Sequence, residues 1–294
     1  MPGRLTLSVF RRTIPAEFGA LLPPQMLPVP SPLPDSLIVF GAYADGVPAG
    51  LGAVSLSTAG GRAKVLGVTV DSEYRRQGIG RRLMSELGRA VRRNGASSLF
   101  TEYIAGTETE SAEAEYLTSC GFSPPRPGIY ICSGPFQAAL QLDWASRLSL
   151  PEDFILDSFT TLTDDERSNL NLGEGDWYPA ELHPFAEEEF IDYERSLIMR
   201  HRNRIAGWMI VEAFGERKML LKTMFVSKPY QRMARGAALG REMLLRLSAD
   251  PQFDQGILFV EAYNTPMVSF LKRHLVHPDL KLEVLWRTEK VLRA

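Results

Sequence analysis

The residues whose types and spacing best support chemistry lie between a β-branched run and an amphipathic segment. The strand pattern ends at Val70, and the residues 75–81 then open a helix pattern. The first turn of a helix presents unpaired backbone N–H groups and the positive end of a macrodipole. Gly78 and Gly80 leave the backbone accessible to a ligand, and three arginines add positive charge. The stretch therefore predicts a cradle for a pyrophosphate.

The glycine spacing separates this stretch from two other kinds of phosphate site. A mononucleotide loop ends in Gly-Lys-Ser or Gly-Lys-Thr, and no such pair follows Gly80. A dinucleotide fingerprint needs a third glycine where Leu83 stands. The segment Arg75-Arg76-Gln77-Gly78-Ile79-Gly80 instead resembles the Arg/Gln-x-x-Gly-x-Gly/Ala motif of the GNAT superfamily of acyl-CoA-dependent N-acyltransferases. A glycine-rich turn with unrelated arginines is the alternative.

The resemblance implies a cofactor site. In this superfamily two central parallel strands separate, and the pantetheine arm of acyl-CoA lies between them as an extra strand would. The resemblance implies that Val68 and Val70 bind this arm through their backbone, and that the Val70 N–H group polarises the thioester carbonyl. It also implies that residues 76–81 hold the pyrophosphate. With acetyl-CoA as co-substrate and no metal, the expected cofactor-binding residues are Val68, Thr69, Val70, Arg75, Arg76, Gln77, Gly78, Ile79, Gly80 and Arg81.

The leaving thiolate needs a proton, and the superfamily often supplies it from a tyrosine four residues before a Gly-Phe pair. In the first half that pair is Gly121-Phe122, and Leu117 stands four residues before it, next to Tyr116. Neighbouring residues on a helix point about 100° apart, so Tyr116 does not simply take the same place. It is nevertheless the candidate acid of this half. The second half has Phe270 at the corresponding position, so neither half carries the usual acid.

The general base of the first half is a separate question, because all four histidines lie in the second half. The base must therefore be a carboxylate, a water relay or a group from the other half. Glu102 lies on a strand pattern beside the expected cleft and is the leading candidate. Desolvation there would raise its pKa into a useful range. A solvated glutamate at a strand end is the alternative.

The chain contains an internal repeat. Residues 70–74 correspond to residues 226–230, and the helix stripe and the next strand follow in the same order. This order predicts two tandem domains, residues 1–150 and 151–294. Strand and helix patterns interleave in both, which predicts an α/β fold class in which each GNAT-like domain is a twisted mixed sheet with helices on both faces.

The second copy of the glycine-rich stretch is degenerate. Ala234 replaces Gly78, and a Cβ where backbone should meet phosphate obstructs the ligand. We therefore expect the first half to hold the productive acyl-CoA site, although the chain is similar in layout to two-domain members in which the carboxy-terminal half catalyses. Met233 and Ala237 replace polar or charged residues of the first copy and weaken the second site further. Arg232 and Arg235 remain in the second copy as positive charges.

Bulk composition limits the other function classes. The 294 residues are 45% hydrophobic, an ordinary globular value that allows sizeable cores. Their formal net charge of −2 argues against a dedicated nucleic-acid binder or a polybasic membrane anchor. The two cysteines have neither metal-ligand nor redox spacing. No apolar stretch approaches membrane-spanning length, and no signal-peptide core follows residues 1–4. We expect a cytoplasmic protein with no nucleic-acid or membrane partner.

The acceptor is the least determined part of the prediction. Residues 23–34 are dense in proline and predict a semi-rigid lid or a plain connector. Aromatic and ionisable residues at 176–179 and 183–185 favour a domain interface over a ligand pocket. The acidic residues 187–189 suit a cationic amine or a solvated helix face.

These patterns predict an N-acyltransferase (EC 2.3.1.-) that moves an acetyl group directly from acetyl-CoA to a small-molecule amine in a ternary complex. Glu102 and Tyr116 are its candidate catalytic residues. The protein is expected to be a monomer with a pseudo-twofold domain pair, or a homodimer. The alternative is a non-catalytic acyl-CoA-binding or sensing protein or a pseudoenzyme scaffold, because both halves lack the usual tyrosine. A third interpretation makes the second half the catalyst.

Overall fold

The computed structural model describes residues 4–56, 61–108, 111–231 and 234–292. The chain forms two compact units: unit 1 comprises Met1–Gly128 and Leu285–Ala294, and unit 2 comprises Ile129–Val284. The strands are, in chain order, β1 (Leu5–Phe10), β2 (Leu37–Ala44), β3 (Val47–Leu56), β4 (Arg62–Val70), β5 (Ser98–Ala105), β6 (Arg126–Pro135), β7 (Phe154–Ser158), β8 (Leu197–His201), β9 (Arg204–Ala213), β10 (Lys218–Val226), β11 (Gln255–Glu261) and β12 (Lys281–Val291). The α-helices are α1 (Ile79–Arg93), α2 (Ala112–Ser119), α3 (Phe136–Leu140), α4 (Asp143–Arg147), α5 (Asp164–Leu172), α6 (Lys228–Gln231), α7 (Arg235–Ser248) and α8 (Thr265–His274).

The sheet of unit 1 has the strand order β1-β2-β3-β4-β5, followed by the part of β12 that belongs to this unit. The first four strands are antiparallel neighbours, whereas β5 runs parallel to β4. The Leu292 N–H group donates to the Ser97 carbonyl, and the Arg287 side chain donates to Glu102. The residue numbers along β12 and the residue after it fall from 292 to 287 while those of their partners rise from 97 to 102, so β12 is antiparallel to β5.

Helix α1 packs on one face of this sheet. Its apolar residues recur every three or four positions and so form one stripe. Met84, Leu87 and Val91 are buried in the stripe, together with Val54 and Ala63 of the sheet. Each such burial contributes about 1.5–3 kcal/mol, so the stripe fixes the helix and with it the turn that precedes the helix.

The proline-rich segment covers the other face of the unit 1 sheet. Short 3-10 turns at Ala16–Leu21 and Pro24–Met26 take the place of α-helices there. Phe18, Met26 and Leu33 are buried in one cluster with the sheet. Residues 23–34 thus form a cover on the sheet, so the expectation of a plain connector is wrong.

Unit 2 repeats this arrangement with the strand order β6-β11-β10-β9-β8-β7. Strand β11 runs parallel to β10, and β7 to β10 are antiparallel neighbours. Helix α7 buries Leu239, Met243 and Leu247 on one face of the sheet. Helix α5 contributes Leu170 to the core on the other face. The predicted fold class, a mixed α/β sheet in each of two tandem copies, is confirmed.

The two copies agree in local detail. In unit 1 the pairing of β3 with β4 shifts register across Leu66, and in unit 2 the pairing of β9 with β10 shifts across Lys222. These two bulge residues stand at the same place in the repeat. Because a bulge bends its strand and adds local twist, the strand on which the candidate site depends is shaped alike in both units.

The aromatic residues at 176–185 pack inside unit 2. Trp177 and Tyr178 contact Trp208 and Phe225, with ring centroids 4.9–5.9 Å apart. The side chains of Tyr178, Trp208 and Phe225 are buried in the core cluster of that unit. The expected domain interface is therefore wrong for these residues, because the face of the sheet beneath them carries aromatic partners of its own.

The compact units divide the chain at other positions than the repeat does. Residues 129–150 lie in unit 2, where Ile129–Pro135 of β6 pairs with β11. Residues 285–291 of β12 lie in unit 1, next to β5. The repeat predicts domains at 1–150 and 151–294, so each unit takes one strand from outside that range. In the described part of the chain, no helix is long and apolar enough to cross a membrane.

Candidate functional site

The candidate site of unit 1 is the cleft between β4 and β5. The two strands pair only where Arg62–Lys64 meets Ser98–Phe100. The Thr101 hydroxyl still donates to the Val65 carbonyl at 3.2 Å, but within residues 61–108 no later residue of β4 pairs with β5. On its other side β4 stays paired with β3 as far as Val70. One edge of β4 is thus left unpaired over about five residues.

The backbone direction along β4 decides which groups face this cleft. The Asp71 N–H group donates to the Ala49 carbonyl of β3 at 3.0 Å. Successive residues of a strand alternate in direction, so the N–H and C=O groups of Val70 and Val68 face the cleft. Those of Thr69 face β3. A backbone chain with its own donors and acceptors can pair with Val68 and Val70 as an added strand does.

The turn after β4 is built to begin α1 without a side-chain cap. Gly78 has φ +81° and Arg76 has φ +63°, both in the left-handed region. The Arg82 N–H group donates to the Gly78 carbonyl at 3.1 Å, so the three preceding N–H groups of the helix have no partner within it. By contrast, Ser111 caps α2 and Asn264 caps α8 through their side chains. The start of α1 therefore fits the anion cradle that the motif predicts.

The side chains around this turn fall into two groups. Arg75 donates to the Val70 carbonyl at 3.2 Å, and Gln77 donates to the Glu73 carbonyl at 3.2 Å, so both hold the loop itself. Arg76 and Arg81 are exposed. Neither makes an ion pair within the described part of the chain. These two guanidinium groups are therefore accessible to an anionic ligand.

Tyr116 lies against the first turn of α1. Its hydroxyl donates to the Gly80 carbonyl at 2.9 Å, and a Cβ on Gly80 would stand 3.1 Å from the tyrosine ring. A side chain at position 80 would therefore crowd the Tyr116 ring, so packing inside the protein favours a small residue there. Burial raises the pKa of Tyr116, so its hydroxyl stays protonated and is a weak acid. Leu117, at the position of the usual acid, is buried in the core.

Glu102 is held by two cations. Its carboxylate accepts from Lys64 at 2.8 Å and from Arg287 at 3.0 Å. The hydrogen bond from Lys64 is the main reason that the pKa of Glu102 lies below its ordinary value. The expected rise of this pKa by desolvation is therefore wrong, because the ion pairs outweigh burial. The sequence did not indicate either partner, because Lys64 lies 38 residues and Arg287 lies 185 residues from Glu102 along the chain.

A further group missed in the sequence lies on the face of β4 opposite α1. A Cβ on Gly67 would stand 2.6 Å from Pro23 and 3.9 Å from the side-chain oxygen of Gln25. The first distance means that only glycine lets the proline-rich cover lie on β4. Gln25 is exposed and adjoins the unpaired stretch of the strand. Its amide is therefore a candidate contact for a molecule that approaches the cleft from this face.

Unit 2 keeps the same backbone plan. Strand β10 pairs with β11 only over Lys218–Leu220, and Gln231 donates to the Val226 carbonyl at 2.8 Å, as Arg75 does to Val70. Ala234 precedes α7 with φ +55°, so the left-handed turn survives with a Cβ added. The Arg235 guanidinium lies over the Phe154 ring, 5.3 Å from its centroid. Two residues of the expected comparison, Arg232 and Met233, lie outside the described residues.

Unit 2 also contains a hydrogen-bonded chain that the sequence did not suggest. His201 lies 2.8 Å from the Asp153 carboxylate and 2.7 Å from the Tyr230 hydroxyl. Tyr230 corresponds to Tyr74 in the repeat. His201 has no such counterpart, because Ala44 stands at the same position of unit 1, at the end of β2. In the described residues no group of three or more His, Cys, Asp or Glu could hold a metal ion.

The comparisons with known proteins agree with this geometry. Residues 10–122 match the family model described as the acetyltransferase (GNAT) family. No curated protein sequence matches the chain significantly. Among solved structures, a tandem GNAT protein from the clavulanic acid biosynthesis pathway is 15% identical, covers 99% of each chain and has a TM-score of 0.56. A GCN5-related N-acetyltransferase from Sphaerobacter thermophilus is 14% identical, covers 98% of this chain and 96% of its own, and has a TM-score of 0.57.

A third similar structure is a GNAT-family acetyltransferase from Colwellia psychrerythraea. It is 11% identical, the match covers 97% of this chain and 99% of that protein's chain, and the TM-score is 0.51. At such identities the structures establish the fold alone. The predicted resemblance is confirmed: residues 10–122 carry the GNAT sequence signature, and the whole chain has the fold of tandem GNAT proteins.

Proposed function

We propose that unit 1 transfers an acyl group, most simply acetyl, from a coenzyme A thioester to the amine of a small molecule. The observation that carries this proposal is that two features follow each other directly along the chain. The edge of β4 at Val68 and Val70 lies unpaired, and the uncapped start of α1 follows it after one short turn. A pantetheine arm needs the first feature, and a pyrophosphate needs the second.

The residues that fit the co-substrate have distinct roles. Val68 and Val70 bind the arm through their backbone, and Arg76 and Arg81 neutralise the phosphates. The Val70 N–H group faces the cleft and is the donor that stabilises negative charge on the thioester oxygen as the amine attacks. When bound, acetyl-CoA supplies an activated acyl carbon, so no covalent acyl-enzyme is required.

The acceptor approaches from the face of the sheet opposite α1. The cover at Pro23 and the amide of Gln25 border that approach, which suits a small amine better than a long peptide. In the transfer, the C–N bond forms and the C–S bond breaks. The amine loses a proton and the thiolate gains one. Glu102 is committed to Lys64 and Arg287, so water is the simplest acceptor of the amine proton.

The test pairs equivalent residues of the two units. Calorimetry with acetyl-CoA and assays of free thiol release across a panel of amines are run on the wild type, on Gly78→Trp and on Ala234→Trp. We expect Gly78→Trp to abolish both binding and thiol release, while Ala234→Trp retains both. Loss of activity in Ala234→Trp alone would assign the reaction to unit 2. Absence of acetyl-CoA binding in the wild type would refute the proposal.

A second candidate function is a non-catalytic acyl-CoA sensor. It is favoured by one observation on the two positions from which an acid and a base were expected: Leu117 is buried, and Glu102 is ion-paired. The same experiment separates the two functions. Tight binding of acetyl-CoA with no amine-dependent thiol release supports the sensor.

A further inference from the structure

The outward face of α1 in unit 1 is a row of arginines. All five arginines of this helix are exposed. At 100° per residue they fall within an arc of about 120°, opposite the buried apolar residues. This arginine stripe consists of Arg81, Arg82, Arg89, Arg92 and Arg93.

The positive charge of the stripe is poorly neutralised. Glu86 is the only acidic residue of α1, and it pairs with Arg89 at 2.6 Å. In the described part of the chain no other residue of the stripe makes an ion pair. The whole protein has a formal net charge of −2, whereas this face is positive and carries its charges close together. A face of this kind attracts an anionic surface.

The position of the stripe relates it to the donor site. Arg81 lies in the first turn of α1, where the phosphates of the donor are placed. Arg93 lies about 18 Å farther along the helix. A diphosphate at the first turn does not reach the far end at Arg89, Arg92 and Arg93. That end is left for an anionic surface which arrives together with the donor.

The residue types select among anionic partners. The apolar side of α1 is buried in the core, so the helix has no face to insert into a membrane. The stripe contains no aromatic residue on which a base could stack, as single-stranded nucleic acids require. The arginine fork binds a carboxylate through two parallel hydrogen bonds. Arg82, Arg89 and Arg93 lie on one face of α1, so an acidic surface can meet all three together. An acidic protein surface is the best fit.

We propose that the arginine stripe docks an acidic carrier protein that presents its acyl group on a phosphopantetheine arm. This inference rests on the proposed function and names the donor partner of the same cleft. The arm enters between β4 and β5, and its single phosphate meets the first turn of α1. The amine nitrogen bonds to the acyl carbon and the C–S bond breaks, which leaves a thiolate on the carrier. Water accepts the proton that the amine loses and returns one to this thiolate.

The experiment compares two donors on matched variants of the full chain. One donor is acetyl-CoA, and the other is an acyl carrier protein loaded with an acetyl-phosphopantetheine arm. The variant Arg89→Gln/Arg92→Gln/Arg93→Gln removes the far end of the stripe. The control Arg126→Gln/Arg147→Gln/Arg204→Gln removes three exposed arginines elsewhere. We expect the stripe variant to bind the loaded carrier at least about tenfold more weakly at low salt, and the control to match the wild type.

Each result assigns the outcome to one proposal. The docking proposal is supported if the stripe variant loses binding of the carrier and still binds acetyl-CoA as the wild type does. No binding of the loaded carrier to the wild type overturns it and leaves the acetyl-CoA proposal standing. Equal loss with both donors overturns it as well, since the stripe would then serve the coenzyme. Tighter binding of a 20-nucleotide RNA than of the carrier also overturns it. Carrier binding without acetyl-CoA binding refutes the coenzyme proposal alone.

Discussion

At the scale of single residues, the turn before α1 shows how much depends on one Cβ atom. Gly78 has φ +81°, and a Cβ added there meets nothing within 4 Å. Ala234 holds the equivalent turn in unit 2 at φ +55°. The turn can therefore be formed by alanine, and packing does not require glycine at position 78. The proposed function gives this glycine a second role, which is to let the ligand approach the backbone.

We predict that Gly78→Ala lowers the free energy of unfolding by about 1 kcal/mol, because a non-glycine residue is strained in the left-handed region. Its affinity for acetyl-CoA should fall further, since the Cβ projects where phosphate is placed. Urea unfolding and calorimetry measure the two effects. Ala234→Gly is the matched control and should leave acetyl-CoA affinity unchanged. A Gly78→Ala variant with full affinity would show that the phosphates bind elsewhere.

Glu102 illustrates the difference between a residue near a cleft and a residue free to act in it. Its ion pairs keep it charged across the neutral range. We predict that Glu102→Gln changes kcat less than about threefold, whereas loss of a general base costs about a hundredfold or more. The free energy of unfolding should fall by about 1 kcal/mol as Lys64 and Arg287 lose their partner.

The pH profile of kcat provides the readout for Glu102. If the profile of the wild type shows an acid limb that Glu102→Gln removes, the structural role assigned here is wrong. Glu86→Gln is the control, because Glu86 is also ion-paired but lies on the outer side of α1.

At the scale of elements, α5 in unit 2 is fixed by a capping box that is also an ion pair. Thr163 accepts from the Glu166 N–H group, and the Glu166 carboxylate accepts from the Thr163 N–H group and from Arg200. The hydrogen bonds from Arg200 lower the pKa of Glu166 from 4.5 to about 2. A carboxyl group with a depressed pKa stabilises the folded state above its unfolded pKa and loses that effect as pH falls.

We predict that unit 2 loses about 1–3 kcal/mol of unfolding free energy between pH 4.5 and pH 2 through Glu166. Glu166→Gln should be less stable than the wild type at pH 7 and should lose less of its stability on acidification. Urea unfolding at several pH values measures both slopes. Parallel curves for the two proteins would show that Glu166 is not the group that titrates.

The sequence predicted the elements around the candidate site well, because their signals are local. The β-branched run of β4, the glycines of the turn and the apolar stripe of α1 each lie within a few residues of one another. The ion partners of Glu102 and the cover at Pro23 depend on contacts across 38 to 185 residues. No periodicity encodes such contacts, so neither the low pKa of Glu102 nor the cover at Pro23 could be found in advance.

At the scale of the whole molecule, the repeat predicted two copies of one fold but not the strands at their ends. Strands β6 and β12 have no counterpart in the motif that defined the repeat, and their pairing is decided by long-range contacts. Trp286 of β12 is buried and donates to the Gly106 carbonyl, and Thr288 donates to the Ser123 carbonyl. The end of the chain is thus part of unit 1.

This arrangement predicts that cutting the chain at the repeat boundary breaks both units. A fragment of residues 1–150 lacks the strand 285–291 beside β5 and carries a strand 129–135 without its partner β11. A fragment of residues 151–294 has the reverse defects. Each exposes an unpaired edge, and loss of the buried Trp286 alone costs about 3–5 kcal/mol in unit 1. We expect each fragment alone to unfold at lower urea concentration than the full chain, or to aggregate.

Hydrogen exchange on the full chain supplies the companion measurement. In the variant Trp286→Ala, protection should fall first in β5, at Ser98–Ala105, while β8 and β9 of unit 2 keep theirs, because unfolding units follow contiguous packing and not sequence order. Equal loss of protection in both units would mean that the chain unfolds as one cooperative body. A fragment of residues 1–150 as stable as the full chain would show that the repeat boundary, and not the end strands, defines the folding unit.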